Sequence, residues 1–414
     1  MSRLHAHHRT QAFGAQRGVT LAAAALTGCR YVMYRSPLAA EFVGAGVIRG
    51  ERVIGVAWDI DAAAAKQRAM SEAVERSALE RCDHRTAVHT ADELGDLALP
   101  LSRAVRFSPE QLADRMLARY RWTSRTPTSW IAAARLETPA EQVLVPVDLV
   151  FFRGASADAT LLRPASSTGT AAYPSRDEAF LRALLECIER HEISAAHRRG
   201  SVAARICIDD LSSLRRIGGL LDAASVGLEV GLLPVSFEIP VAIAALTSSR
   251  PGRPSIAVGS GCGVRAADAM IAATLEAIQI FHFAWQLMQR GSDVPDIPRN
   301  SRERALWWAT RPAAFANLLF SGAGAVPLSP TLEGGAAVSL PAEEAKRLVA
   351  VLDRHGHAGA MLDITSPCTR QDSLRVLRVI LPSLLLPHPD ERYPFLMSPC
   401  VPGDSKPVVP TPYA

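Results

Sequence analysis

Three short stretches of the sequence carry the same acidic signature. "MSEAVERSALE" sets Glu72, Glu75 and Arg76 at helical offsets, and "RALLECIERHEI" repeats the arrangement with Glu186, Glu189 and Arg190. "ATLEAIQIF" gives Glu276 and Gln279 at the same spacing. Residues at i and i+3 lie about 60° apart around a helix, so each pair projects toward one spot. Facing glutamates repel unless cations or donors sit between them. On a single helix, such a pair followed by Arg reads as a solvated, ion-paired face. Three pairs, each after a strand and a glycine-containing loop, point instead to carboxylates converging on hard Mg²⁺ ions. Those ions take oxygen ligands and bridge to substrate phosphates.

The elements that must position these groups follow from periodicity. Ala45 to Trp58 alternates like a hairpin, with Gly50 and Glu51 near the turn, and a helix through Ala62–Cys82 follows. "QVLVPVDLVFF" (Gln142 to Phe152) is a strand interrupted by Pro146, which predicts an edge or a bulge. After the loop "ASSTGTAAYPS" comes a helix over Arg176–His197, with Phe180, Leu184, Cys187 and Ile188 as its core face. "GLEVGLLPV", "PVAIAALTS" and "SIAVGSGCG" are short apolar runs at hairpin spacing, leading into a helix over Ala266–Gln289. Val376 to Pro387 reads as a last buried strand. The proline-rich end, "PCVPGDSKPVVPTPYA", is neither helix nor central strand. Repeated strand–helix units predict an α/β architecture.

Composition excludes several classes. With 48% hydrophobic and 21% charged residues the chain is not disordered over most of its length. A net charge of +4, without a dense Lys/Arg stripe, argues against a nucleic-acid surface. No segment reaches the roughly 18 apolar residues of a membrane span. "VTLAAAALTGC", preceded by Arg17, resembles a signal h-region, but apolar structure continues from Phe42 to Ile60, which favours a buried element. The seven cysteines (Cys29, Cys82, Cys187, Cys207, Cys262, Cys368, Cys400) are scattered and form no zinc spacing. Buried reduced thiols in a cytoplasmic protein are expected.

The three acidic segments resemble the three motifs of the YcaO superfamily, ATP-dependent enzymes that activate backbone amides of peptides. The first motif's ExxER core matches Glu72, Glu75 and Arg76. The second, a loop followed by a helix ending ExxER, matches Ser167, Gly169, Glu186, Glu189 and Arg190. The third, a Gly-x-Gly strand end before an acidic helix, matches Gly259, Gly261, Glu276 and Gln279. The likeness spans about residues 50 to 390. Departures occur where the family has nucleotide-contacting groups: Trp58 stands in place of a lysine, Arg68 of a serine, Thr168 of an asparagine and Ala272 of an arginine. Arg68 and Lys66 are candidates to restore positive charge.

The resemblance implies a YcaO-like α/β fold, with residues 1–45 as an N-terminal segment, 46–395 as the catalytic domain and 396–414 as a proline-rich tail. It implies ATP and Mg²⁺, with Glu75, Glu186, Glu189 and Glu276 as metal ligands. Arg68, Glu72, Arg76, Ser167, Gly169, Glu186, Arg190 and Gln279 would surround the nucleotide. Azoline-forming members end in a PxPxP motif, partly matched here by Pro407, Pro410 and Pro412. Pro412, Tyr413 and the carboxylate of Ala414 then become catalytic candidates. The implied activity is cyclodehydration of Cys, Ser or Thr in a ribosomal precursor peptide. The first 45 residues are too short for an E1-like leader-binding domain, so that function and a flavin-dependent azoline dehydrogenase are expected on separate subunits. A thioamide- or amidine-forming relative, or a non-catalytic scaffold subunit, are the alternatives.

Overall fold

The structure, a computed structural model, describes residues 19–20, 26–80, 82, 84–152, 159–201, 203–314, 327, 340–398 and 410–411. An N-terminal antiparallel sheet runs in chain order through β1 (Val19–Thr20), β2 (Cys29–Arg35), β3 (Val43–Arg49) and β4 (Arg52–Asp59). β3 and β4 are the predicted hairpin: Arg49 pairs with Arg52, and Gly50 turns the chain at φ +60°. Helix α1 (Ala62–Leu79) starts at Asp61, whose Oδ1 accepts the N–H of Ala63 at 2.7 Å. It ends at Leu79 rather than reaching Cys82.

The next elements are β5 (Ala87–His89), the short α2 (Ala91–Leu94), β6 (Thr128–Arg135), β7 (Gln142–Pro146) and β8 (Thr170–Tyr173). The strand expected over Gln142–Phe152 stops at Pro146 and gives way to a 3-10 turn over Val147–Leu149. Among the described strands β7 pairs with β6 alone, the edge position its proline requires, and a single parallel bridge from Ala98 to Leu144 covers part of its outer side. Helix α3 (Arg176–Arg199) follows and ends at Gly200, φ +65°. Then come β9 (Ala204–Arg205), α4 (Ser212–Ala223) and three antiparallel strands, β10 (Gly227–Leu232), β11 (Val241–Thr247) and β12 (Ile256–Cys262). These strands are the three apolar runs, and α5 (Ala266–Gln289) has its predicted bounds.

The chain continues through α6 (Ser301–Ala309), α7 (Pro341–Arg354), β13 (Ala360–Asp363), α8 (Pro367–Gln371) and β14 (Arg375–Ile380). The apolar run from Val376 predicts a last strand to Pro387; β14 stops at Ile380, because Pro382 has no N–H for the ladder. β5, β6, β13, β14 and β8 form a second sheet in that order, and β12, β11, β10 and β9 a third. The result is a mixed α/β architecture. Among the described residues the pairings between strands are antiparallel, so each strand–helix repeat is a hairpin with a helix laid on it rather than a parallel crossover.

Two such units are alike. α1 packs on β3 and β4 through buried Ala65, Ala69 and Ala73, and α5 packs on β11 and β12 through buried Ala269, Ala273 and Ala277. Alanines one turn apart present no bulk, so helix and strand backbones approach closely. α3 lies between them and is buried on more faces: Leu184 and Ile188 are fully buried, each contributing about 2 kcal/mol, while Phe180 is half-buried. No helix is long and apolar enough to cross a membrane among the described residues. The six described cysteines are free.

Candidate active site

Each acidic helix returns a carboxylate to a backbone N–H of a strand or of the turn that leads into one. Glu72 Oε2 accepts the N–H of Val56 on β4 at 2.7 Å, sixteen residues earlier in the chain. Glu276 Oε2 accepts the N–H of Ser260 on β12 at 2.5 Å, again across sixteen residues. Glu186 Oε2 accepts the N–H of Gly169 at 2.9 Å, across seventeen. Glu75 Oε1 takes the N–H of Ala172 on β8 at 2.8 Å and so links α1 to the second sheet. Glycine makes this proximity possible. A Cβ on Gly55 would overlap the Ala69 carbonyl oxygen, and one on Gly259 would overlap the Ala277 nitrogen.

The carboxylates also meet one another. Ser260 Oγ lies 2.6 Å from Glu189 Oε1 and 2.9 Å from Glu276 Oε2, so one hydroxyl proton serves acids from two helices. Arg190 Nη2 sits 3.6 Å from Glu276 Oε1, both side chains being largely buried. Burial pushes the Glu189 carboxyl up to about 7; Arg190 opposes this, while Glu276 adds to it. Glu75 is raised well above the usual carboxylate range by burial, with Glu186 and Glu72 as further repulsive neighbours. Glu72 and Glu186 are raised as well, chiefly by burial and against the pull of Arg76 and Arg190 respectively. Burial disfavours charge on Arg190 too, but Glu276, Glu189 and Glu186 more than offset it and hold the guanidinium protonated. The cluster has more acid than its two arginines neutralise.

The loop before α3 is locked from below. Gly169 has φ +86°, and a Cβ there would meet the Val379 carbonyl and Cys187 Sγ, so only glycine fits. Buried Arg378 on β14 donates to the carbonyls of Leu149 at 2.8 Å and Ser166 at 2.7 Å, to Thr170 Oγ1 at 2.9 Å, and to the Thr168 carbonyl. A single guanidinium thereby fixes the loop that presents the Gly169 N–H. Ser167, at the exposed tip, accepts the Thr170 N–H through its carbonyl at 3.1 Å.

The remaining expected residues divide. Arg76 pairs with Glu72 at 2.5 Å, but nearly half of its side chain is exposed. Arg68 is engaged elsewhere: it pairs with Asp59 at 2.7 Å and donates to the Trp58 carbonyl, closing the end of β4. Lys66 stands over the Tyr31 ring, 5.1 Å from its centroid. Trp58 is buried, stacked on His282 at 3.8 Å, and supplies no polar group in place of a lysine. Gln279 is half-buried, and Ala272 lies over Gly261. Pro412, Tyr413 and Ala414 lie outside the described residues, as does Pro407.

Among the described residues, no three Asp, Glu, His or Cys side chains gather tightly enough to enclose a metal ion. The acids stand instead as electrostatically coupled neighbours, each with one oxygen spent on a backbone N–H or a hydroxyl. That donor set, all oxygen and short of cations, fits Mg²⁺ that completes its shell with water and phosphate. Ser260 and Arg378 were missed from sequence. Ser260 lies inside the quoted Gly-x-Gly, and a lone Arg within "VLRVIL" was the visible signal for the other. Tyr173 and Arg182 were missed too: the guanidinium stands 5.8 Å from the ring centroid, and Tyr173 is electrostatically coupled to Glu75.

Fold and site together define a mixed α/β protein in which buried carboxylates from three helices stand as close neighbours. The family model described as YcaO cyclodehydratase, ATP- and Mg²⁺-binding, matches residues 59–385. The chain belongs to the YcaO family. Among curated proteins none matches the sequence. Solved structures share the fold. A heterocyclase in complex with substrate and cofactor superposes with a TM-score of 0.70 at 19% identity, over 83% of this chain and 48% of that one. The YcaO protein of Methanopyrus kandleri bound with AMPPCP and Mg²⁺ gives 0.62 at 20% identity, over 90% of each chain. A chain of the E. coli microcin synthetase McbBCD complex with pro-MccB17 bound gives 0.68 at 12% identity, over 92% of this chain and 96% of that one. The present chain thus spans about half the length of the heterocyclase.

Proposed function

We propose that the chain catalyses ATP-dependent cyclodehydration of Cys, Ser or Thr residues in a ribosomally made precursor peptide. The observation that carries this reading is the surplus of buried carboxylates on α1, α3 and α5, in a family described as binding ATP and Mg²⁺. The substrate's thiol or hydroxyl attacks the preceding backbone carbonyl, and the resulting oxyanion takes the γ-phosphoryl group of ATP. The amide nitrogen's lone pair then expels phosphate as its proton is lost, leaving a thiazoline or oxazoline ring. No protein nucleophile is needed, which agrees with Cys187 being pushed by burial up to about 12.

Glu75, Glu186, Glu189 and Glu276 would hold Mg²⁺, with Glu72 in support. When bound, the metal supplies charge neutralisation for the triphosphate. Arg190 and Arg76 balance the carboxylates and contact phosphate. Ser167 and Gly169 offer the loop beside it, with Arg68 and Gln279 at the periphery. Pro412 and Tyr413 would bring the Ala414 carboxylate to the substrate as proton acceptor. Leader recognition by an E1-like subunit and oxidation by a flavin-dependent dehydrogenase complete a multi-subunit, cytoplasmic synthetase.

A second reading, a non-catalytic scaffold subunit, draws on the buried Trp58 and the engaged Arg68. Peptide-dependent ADP release from the reconstituted complex, with loss of one water per ring in the product, separates the two. Glu189→Gln and Glu75→Gln are each expected to lower that turnover at least about a hundredfold. Near-normal turnover in either folded variant would remove the metal assignment.

A further inference from the structure

Beyond the carboxylate cluster, the structure holds a second buried charge pair that the reaction does not use. Arg304 on α6 pairs with Glu391 at 2.9 Å, their side chains 4% and 11% exposed. The same Glu391 oxygen accepts the N–H of Thr411 at 3.0 Å, and Trp308, one turn after Arg304 on α6, donates its indole N–H to the Thr411 carbonyl at 3.4 Å. Thr411 is 7% exposed. One residue of the C-terminal segment is therefore gripped by both backbone groups, an arrangement that does not depend on its side chain. Arg304 also donates to the carbonyls of His388 at 2.9 Å and Pro389 at 3.2 Å, fixing the segment that carries Glu391.

We infer that Arg304, Trp308 and Glu391 form a latch for the C-terminal segment. It holds both backbone groups of Thr411 and so fixes the point from which the last three residues, with an extended reach of about 10 Å, depart. These are positioning residues; the catalytic consequence rests on the proposed cyclodehydratase reading. Placing the ion pair in the interior serves this role, because a buried carboxylate aligned by a guanidinium accepts a backbone N–H in one fixed direction.

Hydrogen exchange of the full chain tests the latch without any turnover. The Thr411 amide is expected to be protected in the wild type. Glu391→Ala should speed its exchange about tenfold or more, and Glu391→Gln, which keeps an acceptor, by less. Trp308→Phe keeps an aromatic ring but removes the indole donor together with part of the buried bulk, and should give a few-fold increase with protection in α3 retained; it serves where Glu391→Ala loses protection in α3 and so fails to fold. Equal Thr411 exchange in wild type and Trp308→Phe, or in wild type and a folded Glu391→Ala, overturns the latch. In the reconstituted synthetase, Trp308→Phe should lower kcat for ring formation while leaving the KM for ATP unchanged. Unchanged kcat alongside accelerated exchange overturns the positioning role. If the wild type forms no ring at all, the cyclodehydratase reading has failed, and the exchange arm still decides the latch.

Discussion

The two halves of the acidic cluster are built differently. On the α3–α5 side, Glu189 and Glu276 share one serine hydroxyl, and Arg190 crosses from one helix to the other with 17% of its side chain exposed. On the α1 side, Arg76 and Glu72 pair within one helix, with 47% of the arginine exposed. Glu72 returns to its own hairpin, and only Glu75 reaches another element. The first side is a cross-braced wall whose charges depend on each other; the second is a flap of charge tied mostly to itself. Identical ExxER spelling therefore hides different energetics, because the same guanidinium does more when water is excluded.

The difference can be broken by mutation. Arg190→Ala leaves Glu276, Glu189 and Glu186 uncompensated in the interior and should destabilise the chain by about 3–5 kcal/mol. Arg76→Ala should change stability by no more than about 1 kcal/mol, as for other exposed pairs. Denaturant unfolding of both variants measures the gap. Equal effects would mean the two sides are not distinct.

Close packing offers a smaller effect that should be symmetric. Gly259→Ala and Gly55→Ala each press a methyl group into the backbone of the helix above, and each is expected to destabilise by about 1–3 kcal/mol. Because the two hairpin–helix units share this contact, similar thermal shifts are expected. A neutral Gly55→Ala would show that α1 yields where α5 does not.

Titration adds a third contrast. Glu189 keeps its proton up to about 7 in the folded chain, whereas an unperturbed glutamate loses it near 4.5. The folded state thus binds more protons in that window, and stability without Mg²⁺ should fall as pH rises from 4.5 to 7, by about 1–3 kcal/mol. Glu189→Gln should flatten the slope, and Mg²⁺ should stabilise the wild type more at pH 7 than at pH 5. A slope unaltered by the substitution would assign the titration to another group.

Much of this was legible in the sequence, and the limits have physical causes. α5 appeared with its predicted bounds, and α3 ran only two residues past its expected end, because helical periodicity is a local property. The expected strand past Ile380 failed at one residue, Pro382, whose missing N–H outweighs an apolar pattern. The acidic residues themselves were legible, but their partners were not. Which N–H Glu75 accepts depends on a strand nearly a hundred residues away, and the turn of Arg68 toward Asp59 depends on where β4 ends. Glycines Gly55, Gly169 and Gly259 stand at matching distances before Glu72, Glu186 and Glu276, a regularity whose reason appears only once helix and strand are seen in contact.

In the proposed function, carboxylates from separate helices act as one Mg²⁺–nucleotide site. Calorimetric titration of a non-hydrolysable ATP analogue into the isolated chain, with and without Mg²⁺, tests it without partner or peptide. Binding to the wild type is expected to require Mg²⁺, and Glu75→Gln on α1 and Glu189→Gln on α3 should each weaken it at least about tenfold. Wild-type affinity in both variants, or tight binding without the metal, would contradict the shared site.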